Sequence, residues 1–263
     1  MISEFISENK GAIAFTIAFL MLGAAVYFFG GNLGGLMANE KAKGAADLFD
    51  GIRYKAEYAS DGRILIFANA KNNALSKMKV SSGNPIPEDS AIVIGSAEAE
   101  RASAQGKNFT IGKKLAGFYG INTSVEGILA KTGGPADSIY FLGETQFEKI
   151  TGEEGKIFTK VKDGEPEMFF TLKANDTLPK KFALSEGSMD SYAPIKLGNK
   201  WFYPIVMGSN EAKSMRDEKL FSAVGDSIKD FFGKDMIVFG VLKETNTSID
   251  DMHFTTLNEK ELK

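Results

Sequence analysis

The chain contains no cysteine, one histidine (His253) and one tryptophan (Trp201). Without cysteine there can be no disulfide, no thiolate metal site and no cysteine nucleophile. The compartment stays open, because a large enough core holds without staples. A single histidine excludes three-histidine zinc sites and His-Glu-x-x-His helices within one chain. Nor is there an excess of positive charge: 31 Lys and Arg stand against 34 Asp and Glu, a net charge of −3. That balance leaves no electrostatic footprint for nucleic acid, and no nucleic-acid partner is expected. No phosphate loop or dinucleotide glycine pattern occurs, and neither a cofactor nor a metal is expected. What is present is 43% hydrophobic and 25% charged residues, enough for a real core under a mixed surface.

From Gly11 to Met37 no side chain is charged. About 20 such residues at 1.5 Å each cross a bilayer, so residues 1–37 read as a polar tail and one transmembrane helix, with 11–37 in contact with lipid. The run is longer than a signal-peptide core, which favours an uncleaved anchor. Lys41, Lys43, Arg53 and Lys55 follow it and only Lys10 precedes it, which by the positive-inside rule favours a cytoplasmic domain. Four glycosylation sequons, at Asn108, Asn122, Asn175 and Asn246, favour the opposite side. Large domains translocate regardless of nearby charge, so the expectation is a single-pass protein of the cell membrane with an extracytoplasmic domain.

Beyond the anchor, one segment is used twice. Ala91-Ile92-Val93-Ile94-Gly95 runs into Ser96-Ala97-Glu98-Ala99, and Pro204-Ile205-Val206-Met207-Gly208 runs into Ser209-Asn210-Glu211-Ala212. At the same offset of 113, Gly112 meets Gly225, Phe118 meets Phe231, Gly127 meets Gly240, Thr132 meets Thr245, Asp137 meets Asp250 and Phe141 meets Phe254. Glycines and apolar residues in fixed register predict the same turns and the same buried faces. The domain then divides into two α+β repeats, 38–150 and 151–263. Residues 38–55 read as helical, Ser96–Ala104 and Ser209–Lys219 as helices, and Ile64–Ala68, Ala91–Ile94, Val125–Leu129, Ile157–Lys162, Met168–Leu172, Trp201–Val206 and Ile237–Leu242 as strands. The offset fails over 51–90 against 164–203, apart from Asp50-Gly51 against Asp163-Gly164.

The second copy carries Met207-Gly208-x-x-Glu211-Ala212, Val224-Gly225-Asp226-Ser227-Ile228 and Ile237-Val238-Phe239-Gly240-Val241-Leu242. Together with Ala183-Leu184-Ser185-Glu186-Gly187 and Glu244–Phe254, this stretch (181–257) resembles the extracytoplasmic core domain of macrolide-exporter-type (MacB-like) ABC permeases. The resemblance implies a domain type and a place beside such a permease. The chain departs from the family in having Asn246 where a glycine is usual, and no further hydrophobic spans before Lys263.

Catalytic constellations are sparse. Asp137 and Asp250 occupy equivalent positions, and paired carboxylates sharing a proton would give an aspartate-dyad hydrolase. Neither is followed by the Thr/Ser-Gly turn of that chemistry, and a turn aspartate bonding its own backbone explains both. Ser76-x-x-Lys79 and Lys131-Thr132-Gly133 match two motifs of penicillin-binding enzymes, but the Ser-x-Asn between them would be Ser82-Gly83-Asn84, three residues after Lys79, which leaves no room for the helical domain that separates those motifs. His253, beside Asp250 and Asp251, reads as a lone surface-loop histidine. Phe118-Tyr119 and Phe231-Phe232 read as core or, if exposed, as an interaction patch. Lys10-Gly11 before a hydrophobic helix also resembles the processing site of pilin-like filament subunits. The leading expectation is a non-enzymatic binding or assembly component, associated with an ABC-type permease, acting with a protein partner or as a homo-oligomer.

Overall fold

In the computed structural model the described residues are 51–59, 63–70, 75–162, 165–172, 183–188, 192–258 and 260–262. By its contacts the chain divides into two units, 1–45 with 161–166 and 46–160 with 167–263. Of the first, only the strand ends at 161–162 and 165–166 are described; the sheet, its cores and its clefts belong to the second.

Among the described residues, fifteen strands are linked by short helices and 3-10 turns. The first half holds β1 (Ile52–Tyr58), β2 (Ile64–Asn69), β3 (Val80–Gly83), β4 (Ala91–Ile94), helix α1 (Ser96–Ala104), β5 (Lys114–Phe118), β6 (Ile121–Leu129), a 3-10 turn (Pro135–Ser138), β7 (Ile139–Leu142) and helix α2 (Glu144–Lys149). The second holds β8 (Glu153–Lys162), β9 (Glu165–Thr171), β10 (Leu184–Gly187), β11 (Ile195–Leu197), β12 (Lys200–Met207), helix α3 (Ser209–Asp217), β13 (Ser227–Phe231), β14 (Lys234–Leu242), a 3-10 turn (Ser248–Asp251) and β15 (His253–Thr255).

The strand order is a palindrome: β10-β14-β12-β15-β9-β8, then β1-β2-β7-β4-β6-β3. The halves meet at the antiparallel pair β1–β8, where Tyr54 faces Gly155. Outward from there, β2–β7 matches β9–β15 (both parallel), β7–β4 matches β15–β12 (both antiparallel), and β4–β6 matches β12–β14 (both parallel). Even the irregularities recur. A bulge lies between Ile92 and Val93 and between Ile205 and Val206, and another between Leu115 and Phe118 and between Ile228 and Phe231. Each hairpin there turns through two positive-φ residues, Tyr119-Gly120 (46° and 83°) and Phe232-Gly233 (50° and 79°). That backbone matches the twist of the flanking strands.

The front of each half is also equivalent, at other offsets. Ala68 and Phe170 hold the same place beside Phe141 and Phe254, an offset of 102. Gly83 and Gly187 hold the same place beside Gly127 and Gly240, an offset of 104. At 102 the sequence aligns Asp61-Gly62 with Asp163-Gly164 and Phe67 with Phe169. The second half gains residues in two steps, the later of which includes the extra strand β11. This is why a constant offset of 113 loses the match before residue 91.

The expected fold class is corrected. The described chain is strand-rich, one large mixed sheet with short helices, and no helix among the described residues is long and apolar enough to cross a membrane. The longest, at nine residues, spans only about 14 Å against a hydrocarbon core of about 30 Å. The described residues thus hold no counterpart of the expected single-pass anchor. Residues 11–37, and most of the expected helix at 38–55, lie outside the described residues; Ile52–Tyr58 is strand, not helix.

One face of the sheet forms a core shared by both halves, with Val93, Phe141, Val206, Phe170 and Phe254 buried together. On the other face each half has its own core: Phe67, Ile92, Ile94 and Val125 under α1, and Phe169, Ile205, Met207 and Val238 under α3. Each such fully buried side chain is worth about 1.5–3 kcal/mol against exposure. The C-terminal carbonyls of α2 are satisfied by a buried ammonium: Lys55 Nζ donates to the carbonyls of Phe147, Glu148 and Ile150 at 3.0, 3.1 and 2.9 Å. The edge strand β10 is tied to α3 by Arg216, whose guanidinium donates to Glu186 at 2.6 Å and holds that carboxyl below its usual range. A depressed folded pKa stabilises above the ordinary Glu value and is lost as pH falls through the folded one. Glu186→Gln is thus expected to cost at most about 1 kcal/mol at pH 7, as for exposed pairs, and nothing near pH 2 in denaturant melts.

Candidate functional site

Two equivalent sites arise from the palindrome, one on each half, where the helix crosses the antiparallel pair β4–β7 or β12–β15. Helix α1 presents Glu98 to Tyr140 on β7; helix α3 presents Glu211 to His253 on β15. The close approach is set by glycine. Gly95 and Gly208 precede the helices, and their N–H groups donate to Ile139 and Met252, each at 2.9 Å. A Cβ at either would collide with backbone of the facing 3-10 turn, at Ala136 and Asp137 or at Ile249 and Asp250.

In the first half Glu98 is buried, its side chain 5% exposed. Tyr140 donates its hydroxyl to Glu98 Oε2 at 2.8 Å, Arg63 lies 3.3 Å from the same oxygen, and Arg101 pairs with Oε1. Burial, and then the Glu98 charge, push the Tyr140 hydroxyl far above its ordinary pKa, so it stays a donor. Around this ion cluster opens a cleft of about 680 Å³. Arg63, Arg101, Lys107, Lys113 and Lys114 line it, against the single acid Glu98, over a floor that includes Phe109, Phe118 and Tyr119. Five cations and one carboxylate around aromatic rings can hold an anion that also has an apolar part.

In the second half the same position has different chemistry. Arg101 is replaced by Ser214, and Leu65 by Glu167 at the offset of 102. His253 is fully buried on β15 and stacks on Phe169 with ring centroids 4.9 Å apart. It is a core residue, which corrects the surface-loop expectation. Its Nε2 lies 3.3 Å from Glu211 Oε1 and its Nδ1 3.6 Å from Glu167 Oε2. Burial opposes charge on the imidazole, but the Glu211 and Glu167 carboxylates outweigh it and its pKa lies above the ordinary value.

The structure gives Asp137 and Asp250 capping roles. Asp137 accepts from the N–H groups of Thr132 and Gly133 and from the Thr132 hydroxyl, at 2.8–2.9 Å. Asp250 accepts from the Thr245 N–H and hydroxyl at 3.0 and 2.9 Å and from the Thr247 N–H at 3.3 Å. Each carboxylate is engaged by donors of its own loop rather than by the other. Phe118 and Tyr119 are half-buried against Phe67, at centroid distances of 6.5 and 5.1 Å; the buried Phe231 and the half-buried Phe232 meet Phe169 at 6.0 and 5.4 Å. Of the sequon asparagines, Asn108, Asn122 and Asn246 are exposed, and Asn175 lies outside the described residues.

The motif reading passed over Glu98, Tyr140, Arg63, Arg101, Glu167 and Glu211. The signal for two of them is in the repeat itself, since Glu98 and Glu211 sit in the matched Ser-x-Glu-Ala segments. No protein-family model matches the chain, and no curated protein or solved structure matches it.

Proposed function

We propose that the protein is a binding protein that holds a small anion with an aromatic or apolar portion in the cleft of its first half. The observation that carries this reading is the set of five cations gathered over aromatic rings, with one acid among them. The cleft volume suits a small organic ligand. The partial likeness of 181–257 to MacB-like permease domains supports placing such a ligand-holding component beside an ABC-type permease. The paired-aspartate hydrolase is the weaker reading, because both carboxylates already serve their own turns.

Calorimetric titration with phenyl phosphate tests the proposal. Saturable binding is expected, weakening as salt rises, with inorganic phosphate and phenol each binding less well than the two combined. Reversing two charges by Arg101→Glu with Lys114→Glu is expected to weaken binding tenfold or more. No saturable binding, or binding indifferent to those substitutions, would remove the basis for it.

A further inference from the structure

The acidic site of the second half carries an inference separate from anion binding. We propose that His253 and Glu211, supported by Glu167, bind a first-row divalent cation, for which Zn²⁺ is the natural probe. One ligand atom from each of the three residues lies within 4.8 Å of the others. The histidine supplies the independent observation: its side chain is 0% exposed, yet neither ring nitrogen has a partner at good hydrogen-bond geometry. Both nitrogens nevertheless face carboxylates. A charge-assisted N–H···O⁻ bond would draw the atoms to about 2.7–2.9 Å. The observed separation of Nε2 from Glu211 Oε1 is 3.3 Å. Two donors at about 2.1 Å from one tetrahedral zinc stand roughly 3.4 Å apart, which that separation fits.

The two carboxylates address different nitrogens, and this divides their roles. Nε2 and Glu211 would take the ion, with water completing its shell. Glu167, on the Nδ1 side at 3.6 Å, would accept the remaining N–H and fix the ring, the usual partner of a metal-bound histidine. An imidazole nitrogen with a carboxylate oxygen, and no thiolate, selects Zn²⁺, Mn²⁺ or Fe²⁺ over Ca²⁺ or Cu⁺. Because Glu211 is on α3, His253 on β15 and Glu167 on β9, the ion would clip the helix to the sheet. In the first half Tyr140 and two arginines occupy this position, so that half offers no such site.

The test is calorimetric titration of chelator-treated full-length protein with Zn²⁺, followed by the visible spectrum with Co²⁺ in its place. One ion per chain is expected, with a raised melting temperature and d–d bands showing nitrogen and oxygen ligation. His253→Gln and Glu211→Gln should abolish saturable binding, and Glu167→Gln should weaken it about 10–100-fold. Should His253→Gln fail to fold, the two glutamate variants, whose side chains are partly exposed, carry the test. No saturable binding by the wild type, or binding unchanged in Glu211→Gln, would overturn the proposal.

Discussion

Gly208→Ala is expected to destabilise the protein by about 3 kcal/mol or more, and Gly95→Ala by a similar amount. Conformational freedom is not the reason. Both glycines have ordinary negative φ (−61° and −62°), which any residue adopts. Space is the reason: the methyl group would enter the backbone of the facing 3-10 turn, where no side chain can rotate away. Moving that turn would also disturb the N–H bonds to Ile139 and Met252 and the Asp137 and Asp250 caps behind them. By contrast, Gly120 and Gly233 at the hairpin tips have positive φ, and Gly120 has open space around it. Gly120→Ala should therefore cost only about 1 kcal/mol. Urea melts of the three variants separate these effects, and equal midpoints for Gly208→Ala and Gly120→Ala would refute the steric explanation.

Glu98→Ala is the second large effect, at about 3 kcal/mol, the usual range for removing one partner of a buried ion cluster. It leaves Arg63 and Arg101, with side chains 19% and 22% exposed, facing each other without the shared carboxylate. Tyr140, buried beneath them, loses its acceptor. Glu98→Gln keeps the volume and should cost less. It also removes the one negative charge in the cleft, so phenyl phosphate should bind more tightly to it than to the wild type. A variant both less stable and tighter-binding would identify Glu98 as a structural counter-charge that competes with the ligand. Weaker binding would mean that Glu98 itself contacts the ligand.

The equivalence of the two halves was legible in the sequence wherever no residue is gained or lost. From Ala91 to Phe141 and Pro204 to Phe254 the offset is constant, and the glycines and apolar residues that set it are those at bulges, hairpin tips and close approaches. Before that the chain shifts register, at 102 and then 104, and fixed-offset matching paired Asp163-Gly164 with Asp50-Gly51 rather than with Asp61-Gly62. Strands as short as β7, β10, β11 and β15 carry too few residues to show alternation, and β15 was hidden behind the two aspartates of its preceding turn. For the same reason His253 looked solvent-exposed. Only its equivalence to Tyr140, inside a strand and beneath a helix, marks it as buried. The sites were harder still to read, because their charges come from distant segments: Arg63 from the start of β2, Arg101 from α1, Lys113 and Lys114 from the following loop and β5. Sequence proximity does not bring Arg63 to the others; the successive pairings β2–β7, β7–β4 and β4–β6 do.

One site is built twice in this fold, and the proposed anion site belongs to the first copy alone. Backbone amide shifts followed by NMR during titration with phenyl phosphate test this most directly. Shifts concentrated at residues 101–119, with the equivalent residues 214–232 unmoved, are the predicted result. Equal shifts in both segments, or none in the first, would contradict it.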